Sequence, residues 1–250
     1  MAETKKKVKK AEFKIDPEQM AQAGLHFGHQ TSRIHPKMKP YLFAVRNGVH
    51  LIDLEKTAEK LKEALEFIQN LISEEKVLLL VGTKIQIKAL VKETAIDCGL
   101  PYVTERWLGG TFTNFPVFKK RIEYFKELER KKKEGELEKY TKKERADIDK
   151  ELAKLETKFG GIKNLEKLPD AVFVLDMKKD ELAVSESKAK GVKIVGVSDT
   201  NIDPTLADYP IPANDDAVSS LNFILGKLKE VVLKSKPKAQ KPRVETDDKN

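Results

Sequence analysis

The sequence predicts a doubly wound α/β domain, a parallel sheet of about five strands with helices on both faces, carrying an inserted helical coiled-coil hairpin. Three observations support this. The runs "KVLLLVG", "DAVFVLD" and "VKIVGVSD" are short, almost wholly apolar and rich in β-branched residues, as strands buried on both faces are. One-sided helical runs alternate with them, as the crossovers of a parallel sheet require. Residues 118–158 interrupt that alternation with a Lys/Glu-rich segment whose few apolar residues recur at helical spacing.

Taken in order, Asp16-Pro17-Glu18-Gln19 supplies an N-cap, a proline at the first helical position and a glutamine at the third, opening a short helix that stops at Gly24. His26 and His29 are expected in a loop after that helix. "YLFAVRNGVHLID" predicts two strands joined by Asn47-Gly48, the dipeptide favoured in a two-residue hairpin, with Arg46 and Asn47 at its tip. Leu54, Ala58, Leu61, Leu65, Ile68 and Ile72 mark one face of a helix. "KVLLLVG" ends at Gly82, and a helical run continues to about Cys98, where Gly99-Leu100-Pro101 breaks it. "YVTERWL" is a short strand and loop. In the insertion, Phe118, Ile122 and Phe125 form one stripe and Ile148, Leu152 and Leu155 another, while Thr141-Lys142-Lys143-Glu144 is a capping box that restarts a helix after Gly135. A helix over about Glu181–Lys190, the short "YPIP" and a final helix from Asn214 complete the fold. The expected organisation is a basic extension at 1–14, an α/β core at 15–117 and 159–234, the hairpin at 118–158 and a tail at 235–250.

Composition narrows the function. Of 250 residues 35% are charged, well above the usual quarter, and no run approaches eighteen apolar residues. The start, "MAETKKKVKK", has no apolar region behind it, so it is not expected to be a secretory signal. The single Cys98 excludes an intramolecular disulfide and fits a reducing cytosol. Positive charge is concentrated in three places: 1–14 has six lysines against two acids, 119–158 has fifteen basic residues against eleven acids, and 226–250 has eight against four. Each nets +4 within a total of +8, so the rest of the chain is mildly acidic. Basic arms on an acidic body suit a polyanionic partner.

One window of that body departs from the pattern. From Gln19 through Ile52 there is no Asp or Glu, yet Arg33, Lys37, Lys39, Arg46 and all four histidines lie there, with Phe27, Tyr41 and Phe43 interleaved. A surface that meets phosphate needs such freedom from carboxylates. His26, His29 and His35 have the spacing H-x2-H-x5-H, which raises a metal site; but no cysteine pair, no H-E-x-x-H and no neighbouring acid supports one. The histidines are therefore expected to pack and hydrogen-bond in a phosphate-facing loop. A catalytic reading has no G-x-S-x-G elbow and no convincing acid–base pair.

A nucleotide-binding protein is the rival that this fold class raises. Its first βα turn, "VGTKIQIKA", has one glycine and meets neither phosphate-loop pattern, although Thr83 and Lys84 could hold one phosphate at a helix N-terminus. Asp176, Asp199 and Asp203 could hold a cation, or serve as turn and capping acids. "RWLGGTFTNF" offers Gly109 and Gly110 for close backbone approach, with Thr111, Thr113 and Asn114 as neutral hydrogen-bonders. It could equally be a turn bracing the hairpin base, with Trp107, Phe112 and Phe115 in the core.

"MAQAGLHFGH", "PKMKPYLFAVRNGVHLIDLEKT", "RWLGGTFTNF", "LPDAVFVLDMKKDELAVSESKAKGVKIVGVSDTNIDP" and "IPANDDA", in that order from about Ile15 to Leu233, resemble the bacterial form of the second small-subunit ribosomal protein family. The resemblance implies a flavodoxin-like domain with a protruding coiled coil, no enzymatic activity and a cytoplasmic place in the small ribosomal subunit. It also implies binding of small-subunit rRNA at the head–body junction and docking of the large mRNA-binding ribosomal protein. Together with the residue pattern it gives an expected RNA-binding set of Arg33, Lys37, Lys39, Tyr41, Arg46, Asn47, Gly109, Gly110, Thr111 and Asn114. No catalytic residue, cofactor or metal is expected.

Overall fold

In a computed structural model, residues 15–236 are described; the basic extension at 1–14 and the tail from residue 237 lie outside them. The chain enters through α1 (Pro17–Gln22), where the Asp16 carboxylate accepts the Glu18 N–H at 2.9 Å. Strands β1 (Phe27–Gln30), β2 (Leu42–Arg46) and β3 (Val49–Ile52) then form an antiparallel sheet in the order β1-β3-β2. Asn47 and Gly48 take φ of +51° and +73°, the left-handed pair that a tight two-residue hairpin needs. β1 corrects the expected loop. "FGHQ" has neither alternation nor length, and it is extended because β3 leaves it an open edge, pairing Phe27 with Leu51.

Helix α2 (Leu54–Ser73) leads into β4 (Leu78–Val81), α3 (Lys88–Cys98) and the two-residue β5 (Tyr102–Val103). The arm follows as α4 (Phe115–Lys133) and α5 (Lys142–Phe159), and then β6 (Ala171–Val174), α6 (Glu181–Ala189), β7 (Lys193–Ser198), β8 (Tyr209–Pro212) and α7 (Val218–Ser235). The five later strands form one wholly parallel sheet in the order β5-β4-β6-β7-β8, the doubly wound sheet that the apolar runs predict. Every residue of β4 and β6 is buried. Leu78, Leu80, Phe173, Val195 and Ile211 face the core that α2, α3 and α7 cover. Leu79, Val81, Val172, Val174 and Ile194 face the core shared with α6 and the base of the arm.

The arm is held by a narrow seam. Ile122, Phe125 and Leu128 on α4 and Leu152 and Leu155 on α5 are buried, and Phe118 meets Phe159 edge-on at 5.5 Å at the root. Both halves of the Thr141–Glu144 capping box form. The last helix begins at Val218, not Asn214. The Asn214 side-chain oxygen accepts the N–H groups of Asp216 and Ala217, which holds that segment in a turn ahead of the helix.

Candidate nucleic-acid interface

The β1-β3-β2 sheet sits on the loop after β7 through Thr200. The His29 N–H donates to the Thr200 hydroxyl at 2.9 Å, and the His35 N–H donates to the Thr200 carbonyl at 2.7 Å. Gly28 permits this contact, since a Cβ there would lie 2.4 Å from the Thr200 methyl. Arg46 on β2, with Arg33 and Lys39 on the segment that joins β1 to β2, faces solvent, and none of the three has an ion pair among the described residues. Phe43 beside them is 78% exposed. Tyr41 is half-buried, and Asn47 stands exposed at the turn.

Lys37 differs from its neighbours. Its ammonium lies 2.6 Å from Asp203 and 2.9 Å from the Thr205 hydroxyl, so it ties the 3-10 turn at Pro36–Tyr41 to the one at Pro204–Leu206. Burial opposes the Asp203 charge, but Lys37 and the Thr205 hydrogen bonds outweigh it and hold the carboxyl well below the usual range.

The histidines separate by role. The His26 ring meets the Phe27 ring at a tilt of 39°, with centroids 3.9 Å apart, and burial lowers its pKa. The His35 ring accepts the Lys37 N–H at 3.4 Å, as an N-cap. The Nδ1 of His29 lies 3.1 Å from Asp199, and this hydrogen bond, working against burial, raises its pKa. The absence of any neighbouring acid is therefore a property of the sequence only, because the fold brings carboxylates from about 170 residues away. His29, Asp199 and Asp215 present three ligand atoms within 4.8 Å of one another, a group that could hold a divalent cation. Asp203 is not part of it. Asp176 accepts the Lys179 N–H and Asp203 the Thr205 N–H, the turn and capping roles open to them in the sequence.

This cluster occupies the carboxyl ends of the strands, where doubly wound folds bind ligands. Lys84 fills that place here, 2.8 Å from each of Asp176, Asp215 and Asp216. Burial opposes its charge, yet the three carboxylates outweigh burial and raise its pKa. Burial, with the charges of Asp176 and Asp199, pushes Asp215 up. Thr83 donates its hydroxyl to Asp180 at 2.8 Å. Thr83 and Lys84, which could have held a phosphate, thus have internal partners instead.

The second segment is folded inward. Glu186 accepts the N–H groups of Gly110, Phe112 and Thr113 at 2.6, 2.8 and 3.3 Å. Thr111 is buried and donates its hydroxyl to the Leu108 carbonyl. Gly109 and Asn114 remain exposed. Trp107 and Phe112 are core residues in edge contact at 4.9 Å, and Phe115 packs half-buried against the same core. Glu186 is the partner of this loop that the loop's own residues do not announce. Its signal was an acid three residues beyond Ala183, on the buried stripe of α6. No hydrogen bond or ion pair joins this loop to the β1-β3-β2 sheet among the described residues.

Residues 20–235 match the sequence profile of the family described as Ribosomal protein S2. Small ribosomal subunit protein uS2 of Dictyoglomus thermophilum is 47% identical over 223 residues, covering 89% of this chain and 91% of that one. The match spans both parts of the interrupted sheet and the arm between them. The chain therefore belongs to the ribosomal protein S2 family, and is a structural, non-enzymatic constituent of the small ribosomal subunit, which in bacteria is cytoplasmic.

Proposed function

We propose that this chain holds small-subunit rRNA at the head–body junction through phosphate contacts from its β1-β3-β2 sheet, and helps dock the large mRNA-binding ribosomal protein. The observation that carries the rRNA reading is the set Arg33, Lys39 and Arg46, exposed and without an acidic partner among the described residues, in a window of 34 residues free of carboxylates. Such cations release counterions when they meet phosphate, and the nearby Phe43 offers a face for an unstacked base. Lys37, Tyr41 and Asn47 shape this surface. Gly109 and Asn114 are the members of the second segment left free for contact, while Gly110 and Thr111 hold its conformation. The junction and the docking role are supported by the family resemblance alone.

The test is co-sedimentation with small subunits stripped of this protein. Association should weaken as salt rises, and Arg33→Glu/Lys39→Glu/Arg46→Glu should bind about a hundredfold more weakly at moderate salt. A triple variant that sediments as well as wild type would show that the RNA face lies elsewhere.

A further inference from the structure

We infer that the cleft at the root of the arm, bounded by Lys92, Arg106 and Lys158, is a second phosphate-binding surface for rRNA; this rests on the rRNA-binding reading above. Three separate elements bring the cations together. Lys92 comes from α3, Arg106 from the loop after β5, and Lys158 from the last turn of α5. All three are exposed, and none has an ion pair among the described residues. Arg130, Lys131, Lys132 and Lys150 of the arm differ from them, each being paired with a carboxylate.

Cations outnumber acids in the cleft by three to two. Of the two acids that line it, Glu105 is bound by Lys88 at 2.5 Å. Glu156 is exposed, and its carboxylate lies over Gly160 in the cleft wall, 2.6 Å from where a Cβ there would stand. The floor is backbone against backbone, since a Cβ on Gly161 would fall 2.2 Å from the Tyr102 carbonyl. The turn at Gly160–Ile162 thus covers the β5 edge, so an extended peptide cannot add there as a strand. What the cleft presents is side-chain cations. A volume of about 220 Å3 admits a phosphodiester with its water. A guanidinium and two ammonium groups on one cleft, in the corner between the arm and the body, match a phosphate backbone.

Protein-free small-subunit rRNA is titrated with the full chain over a range of salt. The cleft variant Lys92→Gln/Arg106→Gln/Lys158→Gln is compared with wild type and with a charge-matched control, Lys60→Gln/Lys62→Gln/Lys227→Gln, on α2 and α7. It is also compared with Arg33→Gln/Lys39→Gln/Arg46→Gln on the β1-β3-β2 sheet. The cleft variant should bind about tenfold more weakly at moderate salt. Its slope of log affinity against log salt should be shallower by about 2, with the control close to wild type. If the cleft variant matches the control while the sheet variant weakens, the cleft assignment is overturned and the rRNA reading stands. If wild type shows no salt-dependent binding, both fail. A cleft variant that binds free rRNA normally, yet incorporates poorly into subunits assembled with the other ribosomal proteins, faces an acidic protein neighbour, and that too overturns the assignment.

Discussion

Asp180 lies only 3% exposed beside the turn after β4, with the Thr83 hydroxyl and N–H as its partners. Burial pushes its carboxyl up to about 6, against 3.8 for a free group. The folded state then binds the proton more tightly than the unfolded one, so the group's stabilising contribution is complete below about pH 4 and is lost as pH rises through about 6. Asp180→Asn keeps a partner for both Thr83 groups and removes the buried charge. It should stabilise the fold by about 1–2 kcal/mol at pH 7.5 and leave it nearly unchanged at pH 4, as read by urea denaturation at the two pH values. Residue type alone revealed little of this environment. His29 and His35 are identical in the sequence, yet one pairs with Asp199 and the other caps a 3-10 turn. Lys37 and Lys39 differ in the same way, one pinned by Asp203 and one free. Partners supplied from the far end of the chain leave no local pattern.

At the scale of elements, local signals served well where the element makes its own hydrogen bonds. The capping box that restarts α5 was legible because Thr141 and Glu144 satisfy each other within four residues. Thr141→Ala should cost about 1 kcal/mol of local helix stability. Amide exchange over residues 142–146 should then accelerate roughly fivefold while β6 stays protected. The Asn47-Gly48 hairpin was legible for the same reason, through its two left-handed residues. β1 was not, because a four-residue strand is defined by the neighbour it pairs with. The Gly109–Asn114 loop was half legible. Its glycines announce close backbone approach, and the buried Glu186 carboxylate on α6 is one group that approaches, at Gly110 and Phe112.

For the whole molecule, Lys84 is the crossing point. It joins the turn after β4 to Asp176 beyond β6 and to the Asp215-Asp216 turn ahead of α7, and so links the carboxyl ends of the sheet. Lys84→Met leaves Asp176 and Asp215 buried without their cation and should destabilise the fold by about 3–5 kcal/mol, measured as a lower urea midpoint with an unchanged slope. This charge cluster stands at the end of the sheet where other doubly wound folds bind their ligands.

The sequence alone determined the sheet, the helices on both of its faces, the arm and the acid-free basic window. Those features depend on periodicity, on local capping and on where charge lies along the chain, and all three are written in neighbouring residues. Only the tertiary structure decided which cations remain free, which histidine meets carboxylates, and that Lys92, Arg106 and Lys158 share one cleft. These outcomes depend on side chains tens to nearly two hundred residues apart along the chain, and no local pattern encodes such distances. The fold creates those encounters when the parallel sheet aligns the carboxyl ends of its strands and the arm leaves it beside β5.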